Sequence, residues 1–185
     1  SCNRDFKTTL LYKKTTGSTI YVSSRTNTAA AEGSTEEKVN SFCFGQTSCD
    51  YEGSLWATLA LSNRGYDIAS FLPYLIAMED ENEKYFPSAF LFIITDYDEY
   101  FSKIIDKANN YWKITDSPYS LYYDTALALL ALYGTPSEQI ETAKEYLFSV
   151  QDEEGCWNGI RDTAFLLYAL NPKKTLAIEG GDIDY

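Results

Sequence analysis

The sequence predicts a mainly α-helical protein. About four helical hairpins occupy residues 50–171, a small β-rich segment fills residues 1–49, and residues 172–185 form an irregular or strand-like tail. Three observations lead there. Four apolar runs begin at Ser54, Ser88, Thr125 and Thr163, spaced 34, 37 and 38 residues apart. Between them lie more polar stretches whose apolar residues keep a helical spacing. Near the N-terminus, Phe6–Ser24 is instead rich in Thr, Ile, Val and Tyr. A period near 37 residues is the length of a two-helix unit, and such units stack into a continuous core.

Taken in order, "FKTTLLYKKTTGSTIYVSS" (Phe6–Ser24) predicts two strands around a break at Thr16–Ser18. Ile20 and Val22 alternate there with Tyr21 and Ser23. "TNTAAAEGSTEEKVN" predicts a polar loop with a short helical turn, and Ser41–Gln46 a third short strand. The runs "SLWATLAL", "SAFLFIIT", "TALALLAL" and "TAFLLYAL" are apolar nearly all round, which predicts four buried inner helices. Ala57, Ala60, Ala126, Ala128, Ala131, Ala164 and Ala169 would let neighbouring helices approach closely. Three outer helices with one wet face are predicted over Asp67–Glu81, Asp98–Trp112 and Ser137–Val150. Pro73 should bend the first of them. Gly65, Gly134 and Gly155 stand where helices should stop.

Composition excludes several functions. The chain has no histidine, which removes the usual Ser-His-Asp and Cys-His catalysis and every His-containing zinc site. Its net charge of −12 has the wrong sign for a nucleic-acid or anionic-membrane partner. No apolar run approaches the length of a membrane span. Four cysteines, Cys2, Cys43, Cys49 and Cys156, suit two disulfides or four inert thiols, and no Cys-x-x-Cys is present. Sixteen tyrosines suit an adhesive extracellular surface, or, more plainly, large half-buried helix contacts. A chain opening on Ser1 rather than Met is expected to be processed or a fragment.

One short motif stands out: Tyr146-Leu147, then Gln151, Gly155 and Trp157 in "QDEEGCW". It resembles the QW repeat of terpenoid cyclases, with Ala143 also in place and Thr142 where a basic residue is usual. "DTALALLAL" and "DTAFLLYAL" resemble inner helices of the same superfamily, over about residues 50–170. The resemblance implies a partial α/α-toroid, the architecture shared with protein prenyltransferases and complement-like thioester domains. It implies a structural clamp: Gln151 closing an outer helix, Gly155 making the turn, and Trp157 packing beneath the next inner helix. A helix end has carbonyls that need such partners.

The family's chemistry is not retained. Its acid motif precedes the Thr-Ala of an inner helix, but "LYYD" and "GIRD" keep only Asp124 and Asp162, expected as helix caps or first-turn charges. The prenyltransferase zinc site needs a histidine. Cys43-Phe-Gly-Gln46 has the spacing of a thioester but not its middle residues, and a Cys43–Cys49 disulfide would consume the thiol, leaving Cys2 and Cys156 as the second pair. The acidic runs Asp96–Glu99 and Glu179–Tyr185 offer the oxygen ligands calcium prefers but match no EF-hand loop, and are expected to be solvated.

The expected function is therefore non-catalytic: an extracellular or cell-surface structural or interaction module, without cofactor or metal. Its expected partners are proteins, copies of itself included, as in a filament or surface layer. "TLLYKK" and "STIYVSS" offer edge strands for such pairing. Two alternatives stand beside it. One is a cyclase-like or polysaccharide-processing enzyme using Trp56, Phe90, Tyr122, Tyr123, Phe165 and Tyr168. The other is a thioester adhesin through Cys43 and Gln46.

Overall fold

The computed structural model of the protein describes residues 6–12, 20–35 and 41–172. The expected break at Thr16–Ser18, the tail beyond Pro172, and Cys2 lie outside the described residues. The fold is mainly α with a small two-stranded sheet near the N-terminus. The chain divides into two compact units, Ser1–Lys103 and Ile104–Tyr185.

In the first unit, β1 (Phe6–Tyr12) pairs antiparallel with β2 (Tyr21–Ala29), with Leu11 opposite Val22 and Tyr12 opposite Tyr21. The second strand runs beyond Ser24 into the segment expected to be a loop. Thr26 and Thr28, β-branched and opposite Thr9 and Lys7, extend the ladder. The polar turn begins only after Ala29, where the Gly33 N–H donates to the Ala30 carbonyl at 2.9 Å.

The third strand expected at Ser41–Gln46 does not form. This segment is a loop closed by a Cys43–Cys49 disulfide. Its backbone groups have partners elsewhere in the first unit instead of a ladder. The Phe42 N–H donates to the Ser70 carbonyl at 2.9 Å, and Phe44 is held by Ser54.

Helix α1 (Tyr51–Asn63) begins at Asp50, whose side chain accepts the Gly53 N–H. It packs on α3 (Pro87–Thr95) through a core of Leu55, Leu59, Ala89, Phe90 and Leu91. Burying each such leucine stabilises the fold by about 1.5–3 kcal/mol relative to exposure. Between them runs α2 (Leu72–Ala77) and a 3-10 turn over Asp80–Tyr85. The predicted long helix over Asp67–Glu81 is thus much shorter. Pro73 sits in the first turn of α2, so it starts that helix rather than bending it. A first-turn N–H has no intrahelical acceptor, and losing it costs little. The Tyr51 hydroxyl donates to the Leu75 carbonyl at 2.7 Å, joining α1 to α2. Glu79 is buried and meets Lys103 of α4 (Asp98–Asp106) at 2.8 Å.

In the second unit, α5 (Leu121–Ala131) is buried almost throughout and packs along α7 (Ile160–Leu170). Helix α6 (Glu138–Ser149) carries one buried stripe of Ile140, Ala143 and Leu147. The expectation that every apolar run is fully buried holds for α5 and fails for α7. Leu166 and Ala169 are enclosed, but Ile160 is 91 % exposed and Leu167 52 %. Among the described residues nothing covers that outer face of α7.

Candidate functional site

The motif that drew notice in the sequence is a joint between α6 and α7. Trp157 is buried. Its indole N–H donates to the Leu147 carbonyl at 2.8 Å, in the last turn of α6. Its backbone is gripped by one hydroxyl. Thr163 Oγ1 accepts the Trp157 N–H at 2.9 Å and donates to the Trp157 carbonyl at 3.0 Å. A hydroxyl carries one donor and two acceptor sites, so it can serve both groups.

The same arrangement recurs at Trp112. The Trp112 indole donates to the Ile104 carbonyl at 2.8 Å. Thr125 Oγ1 accepts the Trp112 N–H at 3.0 Å and donates to its carbonyl at 3.1 Å. In the first unit, Ser54 Oγ likewise accepts the Phe44 N–H at 2.9 Å, but its one proton lies closer to the Asp50 carbonyl, at 2.5 Å, than to the Phe44 carbonyl, at 3.3 Å. Phe44 has no indole donor and stacks on Phe71 instead, with centroids 4.8 Å apart. Ser54, Thr125 and Thr163 are the first residues of three of the four aligned apolar runs. The register visible in the sequence is therefore the register of these hydroxyls.

Gln151 does something other than the resemblance implies. It does not close α6. Its amide donates to the Gly155 carbonyl at 2.7 Å, fastening the turn onto itself. The Leu147 carbonyl in the last turn of α6 is taken by the Trp157 indole, and the Val150 N–H is shared between the Tyr146 and Leu147 carbonyls. Gly155 adopts φ +82°, a left-handed conformation that glycine takes without steric cost. The Asp152 carboxylate accepts the N–H groups of Glu154 and Cys156 at 3.0 and 2.7 Å, completing the turn.

The two retained aspartates are also staples. Both are first-turn charges, as expected, and neither caps its own helix; Ser120 caps α5, and Gly159 precedes α7. Asp124 is buried and accepts from the Ile114 N–H at 3.0 Å and Ser117 Oγ at 2.9 Å, with Lys113 at 3.4 Å. Burial pushes its pKa above the ordinary carboxylate value, against the pull of those donors. Asp162 accepts from Ser120 Oγ and Asn158 Nδ2, both at 2.6 Å, and from Arg161 Nε at 3.2 Å. Burial raises its pKa, but these three donors outweigh burial and hold the group below the ordinary value. The Ser120–Asp162 bond ties the start of α7 to the cap of α5.

The candidate aromatics fall into local pairs. In the first unit, Trp56 meets Phe90 edge-on at 4.7 Å. In the second, Tyr123 contacts Phe165 at 4.9 Å and Tyr119 at 4.0 Å, beneath the Arg161 guanidinium. Tyr122 is half-buried and Tyr168 is exposed. Asp98 and Glu99 lie in the first turn of α4, and Glu99 pairs with Lys103 at 3.5 Å. Among the described residues, no three Cys, Asp or Glu side chains converge as metal ligands.

The Cys43 sulfur is bonded to Cys49, so it is not joined to Gln46, and the thioester alternative falls. Cys156 is half-buried and forms no disulfide among the described residues, while its expected partner Cys2 lies outside them. A groove of about 370 Å³ runs along α7, lined by Cys156, Gly159, Ile160, Thr163, Ala164 and Leu167. No described helix is long and apolar enough to cross a membrane. No protein-family model matches the chain, and neither a curated protein nor a solved structure matches it.

Proposed function

We propose that the protein is a non-catalytic structural module, an arc of the α/α-toroid type, that works outside the cell or at its surface by binding protein, copies of itself among its partners. One observation carries this reading. The polar groups of the family-like motifs are consumed internally. Trp157, Thr163, Gln151 and Asp162 bond to the joint that holds them. Asp162 is held below the ordinary carboxylate value by its donors, and Asp124, which burial raises, is engaged by Ile114, Ser117 and Lys113. The Cys43–Cys49 disulfide suits an oxidising compartment. Exposed apolar residues on α7 and on the hairpin are the surfaces such a module offers to partners.

Sedimentation of the purified protein over a wide concentration range, with electron microscopy of the top of that range, tests the reading. The expected result is mass that grows with concentration. A strict monomer throughout overturns self-association.

A further inference from the structure

Two surfaces of the described chain are apolar, exposed and opposite in electrical character. The first is the hairpin. Leu11 and Val22 face one another across the strands, and Ile20 shares their face by the two-residue alternation of a strand. They are 66 %, 61 % and 62 % exposed, and among the described residues the sheet has two strands. A lone two-stranded hairpin is marginal in water and gains most from something laid on its apolar face. Lys7 and Arg25 are exposed on it. Residues 1–25 hold five Lys and Arg against one Asp, whereas the rest of the chain holds ten against twenty-six Asp and Glu.

The second surface is the outer face of α7. Ile160 and Leu167 border the 370 Å³ groove, with Tyr168 half-exposed beside them. At one end the groove is lined by Cys156, whose N–H is held by the Asp152 carboxylate at 2.7 Å, and Asp152, Glu153 and Glu154 of that turn are exposed. The neighbouring cation, Arg161, is engaged with Asp162 and lies over Tyr119 and Tyr123. The rim therefore presents carboxylates to whatever fills the groove.

We propose that the basic hairpin of one copy docks its Leu11–Ile20–Val22 face into the acidic-rimmed α7 groove of a second copy, head to tail. The inference rests on the self-associating reading above and names its interface. Charge selects this pairing over its competitors. Two hairpins would bring like positive charge together, and two α7 faces would bring like negative charge together, each unfavourable at close range. Hairpin against groove joins opposite signs around apolar centres, the usual anatomy of a specific interface. A contact between two different faces leaves one of each open at the ends, so it propagates as a chain or closes as a ring.

Two double variants test this. Leu11→Ser with Val22→Ser blunts the hairpin, and Ile160→Ser with Leu167→Ser blunts the groove. All four side chains are exposed, so both variants should keep the wild-type helical circular dichroism and melting midpoint. Each variant alone is expected to sediment as a monomer where the wild type associates. Mixed in equal amounts, they should form a heterodimer and nothing larger, because each retains one intact face. Added salt should weaken both the wild-type assembly and the heterodimer. If the wild type associates and either variant associates as well as it does, the interface lies elsewhere and this inference fails while the proposed function stands. If one variant forms homodimers by itself, the contact is like-with-like and the head-to-tail pairing fails. A wild type that stays monomeric overturns both.

Discussion

Thr163 and Trp157 are joined twice: one hydroxyl accepts the tryptophan's N–H at 2.9 Å and donates to its carbonyl at 3.0 Å. Thr125 and Trp112 repeat the pair at 3.0 and 3.1 Å. Valine has the shape of threonine without the hydroxyl. Thr125→Val should therefore strand two buried backbone groups and cost about 2–4 kcal/mol. Thr163→Val should cost less, about 1–3 kcal/mol, because its bonds are only partly buried. Serine at either position should restore most of the loss. Urea denaturation of the four variants checks this, and equal stability of the valine and wild-type proteins would sink the clamp.

Trp157 contributes by burial and by one hydrogen bond to Leu147. Trp157→Phe keeps most of the burial and leaves the Leu147 carbonyl without its indole donor, for an expected loss of about 1–2 kcal/mol. Trp157→Ala opens a cavity and should cost about 3–5 kcal/mol. Gln151→Ala, which frees only the turn's Gly155 carbonyl, should cost less than either, about 1 kcal/mol. If Gln151→Ala proves the most damaging of the three, the glutamine does more than fasten its own turn. Thermal melts rank them.

Asp162 makes stability depend on pH in a definite direction. Its folded pKa lies below the ordinary value of 3.8. Its contribution is therefore complete above that pH and is lost as the pH falls through the lower folded value. Asp162→Asn should destabilise the protein at neutral pH, and the gap from wild type should close as acid protonates the native carboxylate. Denaturation midpoints of both proteins from neutral to strongly acid solution measure the gap. A gap independent of pH contradicts the assignment.

Lys103 pairs with the buried Glu79 at 2.8 Å. Burial alone would lower the Lys103 pKa, but the bonds and charges of Glu79 and Glu99 outweigh it and hold the ammonium above its ordinary value. Lys103→Met would leave Glu79 desolvated with that partner gone. Since Lys103 is itself about a third exposed, water screens part of the loss, and about 2 kcal/mol is expected. Glu79→Gln combined with Lys103→Met should recover part of it. A double variant no better than the single one would show that the charge on Glu79 is not what is being strained.

The Cys43–Cys49 loop spans only six positions. Closing so short a loop restrains the unfolded chain by about 2 kcal/mol. Reduction, or Cys43→Ser with Cys49→Ser, should lower stability by that order and free two thiols to alkylation by mass. Two alkylated cysteines here before reduction would contradict the disulfide.

The helical repeat was legible because its signal is local and redundant. Four apolar runs in near-regular register, with glycines at 65, 134 and 155, mark where helices start and stop. Gly155 takes a positive φ as its place after α6 suggests. Where one residue had two possible uses, the sequence misled. Pro73 begins α2, because a proline in a first turn and one in mid-helix look alike until the boundary is known. "SFCFGQ" has strand composition but, among the described residues, no neighbouring strand to complete a ladder. The single clamp seen at Trp157 is one of two with an indole, since the gap from Trp112 to Thr125 is thirteen residues and that from Trp157 to Thr163 is six. A motif defined by spacing does not find a contact that loops can lengthen.

What the amino-acid order determined alone is the mainly helical class, the run of hydroxyl-led apolar segments, and a charge balance that sets a basic N-terminal stretch against an acidic remainder. Those follow from periodicity and composition, which need no partner. Tertiary structure decided that Trp157 rather than Gln151 satisfies α6, that Asp124 and Asp162 brace preceding loops and the α5 cap, and that α7 leaves Ile160 and Leu167 in solvent. The physical reason is common to all three. A hydrogen bond or a buried face belongs to a pair of groups, and which pair forms is settled only when distant stretches of chain meet.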